Sequence, residues 1–229
     1  MKERLALALD VPLDRAVLRE VSHYIGVLKI GWPLILELGL DGVRELARSL
    51  SWVEVIADLK LADIYETMSK IVTKLSFVDS FIAHSFIGVE EALGPLKIDL
   101  DQKGKGLYLV LSMSHPGWDD EAYPMLLEVV RKVFPKGVIV GATKPTMVAK
   151  ARKDLPKARI LSPGVGAQGG SPGDAICAGA DVEIVGRRIY AAKDPVMESQ
   201  AVLEALEERV SQCRRTRDDV PSHVSSSDP

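Results

Sequence analysis

The sequence is poor in aromatic residues, which make up 5% of its 229 residues, although 47% of the residues are hydrophobic. Aliphatic side chains must therefore fill its core, as in barrel interiors packed with valine, isoleucine and leucine. No apolar run is long enough for a signal peptide or a membrane span. The length favours one domain, since single-domain α/β barrels commonly reach about 250 residues.

The sequence also lacks a net positive charge and has only two cysteines. The net charge is −3, so no general basic surface is available to hold nucleic acid. Local cations or backbone amides must bind any anionic ligand. The two cysteines, Cys177 and Cys213, have neither the spacing of a metal site nor that of a disulfide framework, which favours a reduced, cytoplasmic setting.

Short apolar runs alternate with helical patterns along the chain. The predicted strands are Leu5–Leu9, Val27–Ile30, Val53–Leu59, Ser80–Ala83, Leu107–Ser112, Val138–Val140, Arg159–Ser162 and Val182–Val185. The predicted helices are Asp14–Tyr24, Asp41–Leu50, Ile64–Leu75, Val89–Leu96, Glu121–Val133, Pro145–Leu155, Gly173–Ala178 and a last one from Asp194 to Leu206 or beyond. Eight such units predict a closed, parallel (β/α)₈ TIM barrel over residues 1–210. The polar residues 211–229 lack periodicity and are predicted to form a disordered tail.

Charged residues follow the first three predicted strands, where the functional sites of such barrels lie. Asp10 follows the first strand, Lys29 lies in the second, and Asp58, Lys60 and Asp63 end the third. Asp58 and Lys60 have the same parity on the strand, so both side chains point to the same side. Charges at the end of a buried strand are costly without a function, and an array of acids and lysines keeps a lysine protonated beside a substrate. An ordinary ion-pair network is the alternative.

Glycine and arginine follow the last two strands. Residues 163–170 contain four glycines, which let backbone N–H groups approach an anion closely, and Gly186 and Arg187 follow the eighth strand. Phosphate sites after strands seven and eight recur in these barrels, and arginine binds phosphate through two parallel hydrogen bonds. A phosphate site is therefore predicted here. His84 ends the fourth strand and is interpreted as a hydrogen-bonded structural histidine rather than a base.

These motifs together resemble the orotidine 5′-monophosphate decarboxylase family, particularly its compact archaeal type. The matching segments are residues 7–10, 29–31, 57–64, 113–117, 162–170 and 185–187, in family order. The Asp-x-Lys-x-x-Asp element is shared with Mg²⁺-dependent lyases of keto-sugar phosphates, which remain an alternative. A non-catalytic barrel that senses a pyrimidine nucleotide is another. The Ser162–Gly170 run is more specific to the decarboxylases. The sequence departs from the family at Ser112, where an acidic residue is common.

The resemblance implies decarboxylation of orotidine 5′-monophosphate without a cofactor or metal ion. Lys60 would donate a proton to C6 of the pyrimidine, and Asp58 would lie against the departing carboxylate. Lys29 and Asp63 would complete the charge array, with Asp63 reaching the site of the neighbouring subunit in a homodimer. Ile64 would help to form an apolar pocket beside the carboxylate.

The resemblance also implies which residues bind the rest of the nucleotide. Asp10, Lys29 and Thr67 would contact the ribose hydroxyls, Thr67 from across the dimer interface. Ser114 would bind the pyrimidine edge, and Gln168 would bridge toward the phosphate. The residues implied around the phosphate are Pro163, Gly164, Val165, Gly166, Gln168, Gly169, Gly186 and Arg187.

Overall fold

Eight parallel strands form a closed barrel in the computed structural model, which describes residues 2–218. The strands are β1 (Leu5–Leu9), β2 (Val27–Gly31), β3 (Glu54–Leu61), β4 (Ser80–His84), β5 (Gly106–Ser112), β6 (Gly137–Val140), β7 (Arg159–Val165) and β8 (Val182–Val185). Each strand pairs with the next one along the chain, and β8 closes the barrel by pairing with β1. The predicted TIM barrel is confirmed.

Helices connect the strands and cover the outside of the barrel. They are α1 (Arg15–Val21), α2 (Trp32–Ser49), α3 (Tyr65–Lys74), α4 (Gly94–Gln102), α5 (Tyr123–Val133), α6 (Pro145–Asp154), α7 (Asp174–Ala178), α8 (Arg187–Tyr190) and α9 (Pro195–Asp218). Short 3₁₀ turns lie at Lys2–Arg4, Ser85–Ile87 and Asp120–Ala122, and a π-turn at Val89–Leu93 precedes α4. Among the described residues, no helix is long and apolar enough to cross a membrane.

Alternate side chains of each strand point into the barrel and out toward the helices. The buried hydrophobic residues that fill the interior are Ala6, Ala8, Val27, Ile56, Ile82, Tyr108, Val110, Ile139, Leu161, Val182 and Ile184. A larger buried cluster lies between the strands and the helices. Both faces of the strands are therefore buried, which explains why most of them read as continuous apolar runs in the sequence.

A charged network closes the N-terminal end of the barrel. The Glu54 carboxylate accepts hydrogen bonds from Lys136 Nζ at 2.6 Å and Ser80 Oγ at 3.1 Å, and it pairs with Arg159. Arg159 also donates to the hydroxyl of Tyr108 at 2.9 Å. Burial opposes ionisation of Glu54, but the two cations outweigh burial and hold its pKa below the usual range.

Helix α2 begins at Trp32, nine residues before its predicted start at Asp41. Pro33 and Gly39, which fall in the added part of the helix, are residues that disfavour helix interiors. Pro33 instead lies in the first turn, where its missing N–H has no intrahelical partner in any case. Gly39 adopts a φ of 67° and marks a kink between two helical segments.

The predicted disordered tail over residues 211–229 is wrong for residues 211–218, because α9 continues to Asp218. Residues 219–229 lie outside the described part of the chain. The expectation of no disulfide is also wrong, since Cys177 of α7 and Cys213 of α9 form one. The fold brings their Cα atoms to 6.0 Å, although 36 residues separate them in sequence. The cysteines thus no longer support a reducing compartment, and the cytoplasmic location stays a prediction.

Candidate active site

A cavity of about 240 Å³ lies at the C-terminal ends of the strands. Eleven of the sequence-predicted site residues line it: Asp10, Lys29, Asp58, Lys60, Ser114, Pro163, Gly164, Val165, Gln168, Gly186 and Arg187. They come from six segments that are far apart in sequence and meet because parallel strands end on the same side of a barrel.

One carboxylate and two lysines form an array of charges at the cavity. Asp58 accepts a hydrogen bond from Lys29 Nζ at 2.8 Å, and both of its oxygens lie 2.9 Å from Lys60 Nζ. The side chain of Asp58 is only 9% exposed. Burial alone would raise its pKa, but the two ammonium groups outweigh burial and hold the pKa below its usual range. Asp58 is therefore an anion held between two cations.

The backbone of β3 is irregular at the point where it presents these groups. Asp58 pairs with Ile82 of β4, but the next partners are Leu61 and Ala83, so β3 has two extra residues in a bulge. Lys60 lies in this bulge with a φ of 45°, a conformation that costs a non-glycine residue about 1–2 kcal/mol. The structure brings Asp58 and Lys60 together across this bulge, which the parity of a regular strand did not predict.

His84 lies at the end of β4, and the charges of Asp58 and Lys60 act on its ring. Burial and the positive charge of Lys60 lower its pKa. Its ring lies 4.8 Å from the ring of Phe86, and its buried Nδ1 has no hydrogen-bond partner among the described residues. The expectation of a hydrogen-bonded histidine is therefore wrong for Nδ1, and the ring is neutral at pH 7.

Asp10 extends the inward-facing row of β1 into the cavity. Its carboxylate lies beside Tyr190 of α8, and burial and this negative charge raise the pKa of the tyrosine. The hydroxyl of Tyr190 is protonated at neutral pH, so it can donate a hydrogen bond to the carboxylate of Asp10. Tyr190 was not predicted from the sequence, because nothing local distinguishes a tyrosine in a short helix.

The loop after β5 carries Ser114 to the cavity. The hydroxyl of Thr143 donates to the backbone carbonyl of Ser114 at 2.7 Å. Further along the loop, Asp120 accepts hydrogen bonds from Ser112 at 2.6 Å and Lys144 at 2.7 Å. Asp120 therefore ties the loop to the end of β5 and to the start of α6.

The glycine-rich loop after β7 forms a compact turn. Gly164, Gly166 and Gly169 have φ values of 110°, 80° and 98°, which favour glycine. Gly166 N–H donates to the Gly170 carbonyl at 2.8 Å, and Gly170 N–H donates to the Gly164 carbonyl at 3.1 Å. A Cβ atom on Gly164 would lie 2.9 Å from the Cβ of Ser114, so glycine is required for the two loops to meet.

Two consecutive arginines follow β8, and only one of them faces the cavity. Arg187 lines the cavity together with Gly186. Arg188 instead pairs with Glu198 of α9 at 2.7 Å, and its aliphatic part packs on Gly166. Of the two arginines, Arg187 is therefore the one that lines the cavity beside the glycine-rich loop, and its binding of a phosphate stays a prediction.

Five predicted residues do not line the cavity within this one chain: Asp63, Ile64, Thr67, Gly166 and Gly169. Asp63 is exposed, and its carboxylate accepts a hydrogen bond from the N–H of Ile64 at 2.7 Å. Ile64 is 54% exposed. These two residues and Thr67 therefore lie on the rim after β3, outside the array that Asp58 forms with the lysines.

The cavity also has lining residues that sequence reasoning missed: Ala8, Ile82, Val110, Met113, His115, Ile139, Ala167 and Ile184. Several of them precede a strand-end residue by two positions and share its inward-facing parity. That parity was the signal that could have identified them. Most are apolar, so the charged array lies beside an apolar surface.

The comparisons with known proteins agree with this geometry. The model of the Orotidine 5′-phosphate decarboxylase / HUMPS family matches residues 3–202. The orotidine 5′-phosphate decarboxylase of Sulfurisphaera tokodaii is 51% identical over 211 residues, covering 92% of this chain and 98% of the relative. That of Saccharolobus solfataricus is 47% identical, covering 93% and 96%.

Solved structures show the same likeness. The crystal structure of orotidine 5′-monophosphate decarboxylase from Sulfolobus solfataricus is 48% identical with a TM-score of 0.89, covering 91% of this chain and 99% of that one. The enzyme from Methanocaldococcus jannaschii, complexed with the inhibitor BMP, is 32% identical with a TM-score of 0.80, covering 89% and 98%. The chain therefore belongs to the orotidine 5′-phosphate decarboxylase family and is a carboxy-lyase.

Proposed function

We propose that this chain converts orotidine 5′-monophosphate to uridine 5′-monophosphate and CO₂, the last step of de novo UMP formation, without a metal ion or other cofactor. The observation that carries the proposal is the buried Asp58 carboxylate, which lies 2.8 Å from Lys29 Nζ and 2.9 Å from Lys60 Nζ at the cavity. The relatives' names supply the substrate, and this array supplies chemistry that suits it.

Lys60 is the group we assign to the reacting carbon. Breaking the bond between C6 and its carboxylate leaves an electron pair in the plane of the ring, where the π-system does not delocalise it. A fixed cation beside C6 stabilises that charge as it develops. The side chain of Lys60 is 39% exposed, against 12% for Lys29, so Lys60 has the freer approach to a ligand. Its proton then forms the C6–H bond of the product.

Asp58 has a different role, because its charge is fixed by the two lysines. Its low pKa keeps it ionised when the substrate binds. A carboxylate placed beside it is repelled, whereas the neutral CO₂ that forms is not. The array therefore favours the transition state over the bound substrate, and the binding energy of remote groups offsets the repulsion. Lys29 holds Asp58 in place.

The apolar part of the cavity suits the same change of charge. Ile82, Val110 and Ile184 line the cavity and belong to the buried interior of the barrel. An apolar surface disfavours an ionised carboxylate and accepts neutral CO₂. We assign Ile64 of a neighbouring chain to the same pocket.

The remaining lining residues suit the rest of the nucleotide. Ser114 is assigned to the pyrimidine edge and Asp10 to the ribose hydroxyls, with Lys29. Gln168 and Arg187 are assigned to the phosphate, together with backbone amides of the glycine-rich loop. The phosphate is remote from C6, so its binding energy orients the base rather than taking part in bond breaking.

The active unit is proposed to be a homodimer. Four exposed apolar residues, Val11, Trp32, Ile64 and Phe86, follow β1, β2, β3 and β4 in turn. Because these strands are neighbours, the four residues lie along one side of the cavity mouth. An exposed apolar edge of this kind fits a second copy of the chain, whose Asp63 and Thr67 would then complete the site.

The experiment follows the ultraviolet absorbance of orotidine 5′-monophosphate after enzyme and EDTA are added together. We expect conversion to uridine 5′-monophosphate at the same rate with and without EDTA. A rate that is lost in EDTA and restored by Mg²⁺ would contradict the proposal that no metal ion takes part, and no turnover of this substrate at all would favour the keto-sugar-phosphate alternative. Binding of uridine 5′-monophosphate without any turnover of the substrate would instead indicate a nucleotide sensor.

A further inference from the structure

One buried carboxylate plays no part in the chemistry above. Glu183 lies on β8 between Val182 and Ile184, which point into the barrel. Its side chain therefore points outward, and the residue is fully buried. Among the described residues no cation pairs with Glu183. The charged group next to it is the carboxylate of Asp174 in α7, which accepts a hydrogen bond from Arg209 of α9 at 2.7 Å.

Three backbone N–H groups at the start of α7 donate hydrogen bonds to Glu183. Its carboxylate accepts hydrogen bonds from the N–H groups of Gly173 at 2.8 Å, Ala175 at 2.9 Å and Ile176 at 3.3 Å. The cap position is Gly173, which has no side chain to satisfy these donors. Glu183 thus supplies from the sheet the cap that the helix itself lacks.

We propose that Glu183 is a positioning residue for phosphate binding, acting by fixing the far end of the glycine-rich loop. The inference rests on the proposed function, which places the phosphate of the nucleotide at this loop. The loop leaves β7 after Val165, and α7 begins at Asp174, only four residues beyond Gly170. Pairing of β7 with β8 fixes its first end, and Glu183 fixes its second end to the same strand.

The chemical cost of this arrangement argues against a merely space-filling role. Burial raises the pKa of Glu183, and the three N–H donors oppose that rise. An apolar residue of the same size would avoid the cost of a buried acid but would leave the three N–H groups buried and unpaired. Since Gly186 and Arg187 follow β8 directly, three and four residues after Glu183, this strand is connected to both halves of the proposed phosphate site.

The test compares the affinities of uridine 5′-monophosphate and uridine, measured by calorimetry, in wild type and Glu183→Gln. Glutamine keeps an acceptor for two of the N–H groups and turns an N–H₂ toward the third. We expect about 10-fold weaker binding of the nucleotide, the scale of one buried hydrogen bond, and less than a 2-fold change for the nucleoside. A general loss of folded protein would affect both ligands equally.

Asp79→Asn is the matched control. Asp79 also accepts a backbone N–H, that of Val55 at 2.8 Å, but at the N-terminal end of the barrel. We expect it to leave the ratio of the two affinities unchanged. An unchanged ratio in Glu183→Gln as well, or equal losses for both ligands, would overturn the proposal.

A measurement on the wild type covers the case in which the variant does not fold. Binding of uridine 5′-monophosphate should slow amide hydrogen exchange at Gly173, Ala175 and Ile176 together with the loop 163–170. Slower exchange in the loop alone would show that the Glu183 contacts are not coupled to the phosphate. Neither measurement needs turnover, so absent decarboxylation would refute the proposed function without deciding this inference.

Discussion

Removing the disulfide between Cys177 and Cys213 should lower the melting temperature of the protein by a large and measurable amount. The two cysteines are separated by 36 residues, and cross-linking a loop of this length stabilises a fold by about 4 kcal/mol through the entropy of the unfolded chain. In a domain of this size each kcal/mol changes the melting temperature by about 2–4 °C. The expected decrease is therefore about 8–16 °C.

The measurement is scanning calorimetry of the oxidised protein, the same protein in a phosphine reductant, and Cys213→Ser. The reduced protein and the variant should melt together, and the reductant should have no further effect on the variant. Turnover at 25 °C should be the same in all three, because neither cysteine lines the cavity.

A melting temperature that changes by less than about 2 °C would refute the reasoning. It would mean that the end of α9 separates from α7 before the barrel unfolds, so that the cross-link does not restrain the cooperative unit. Amide hydrogen exchange at Val210 in the reduced protein would then be faster than exchange in β8. The two observations together would show that α9 opens separately from the barrel.

Three further predictions concern the cavity. Lys60→Ala should lower kcat by at least about 10³-fold, the scale of losing a main electrostatic donor. The control Lys136→Ala removes a similar ion pair at the other end of the barrel and should change kcat only slightly. Similar losses of kcat for the two variants in steady-state assays would contradict the role of Lys60. Arg187→Ala should weaken binding of uridine 5′-monophosphate far more than binding of uridine, and equal losses in calorimetry would argue against a phosphate contact. Mixing Lys60→Ala with Asp63→Ala chains should restore activity through one intact site per mixed dimer, and no recovery would place each site within a single chain.

The barrel was predictable from the sequence because its strands are short, apolar and separated by helical patterns. β1 and β8 have the predicted bounds, and the polar residues that follow the strands do meet at one end of the barrel. The alternation of side chains along a strand and the order of the strands along the chain were sufficient to predict these features. The first determines which side chains point into the barrel, and the second determines how the sheet closes.

The features that were missed depend on contacts between distant segments. The Cys177–Cys213 disulfide needs α7 and α9 to pack together, and the bulge at Lys60 has no local signature in a strand that reads as regular. Glu183 sits within an apolar run and differs from its neighbours only in what lies outside β8. Asp63 and Thr67 remain predictions, because their proposed partners belong to another chain.

The ion pairs that Glu54 forms with Lys136 and Arg159 at the N-terminal end of the barrel bear on how ligands reach and leave the cavity. Side chains fill the barrel interior, so among the described residues the cavity at the opposite end does not continue through the molecule. Under the proposed function, the substrate and both products would therefore enter and leave at the same end of the barrel.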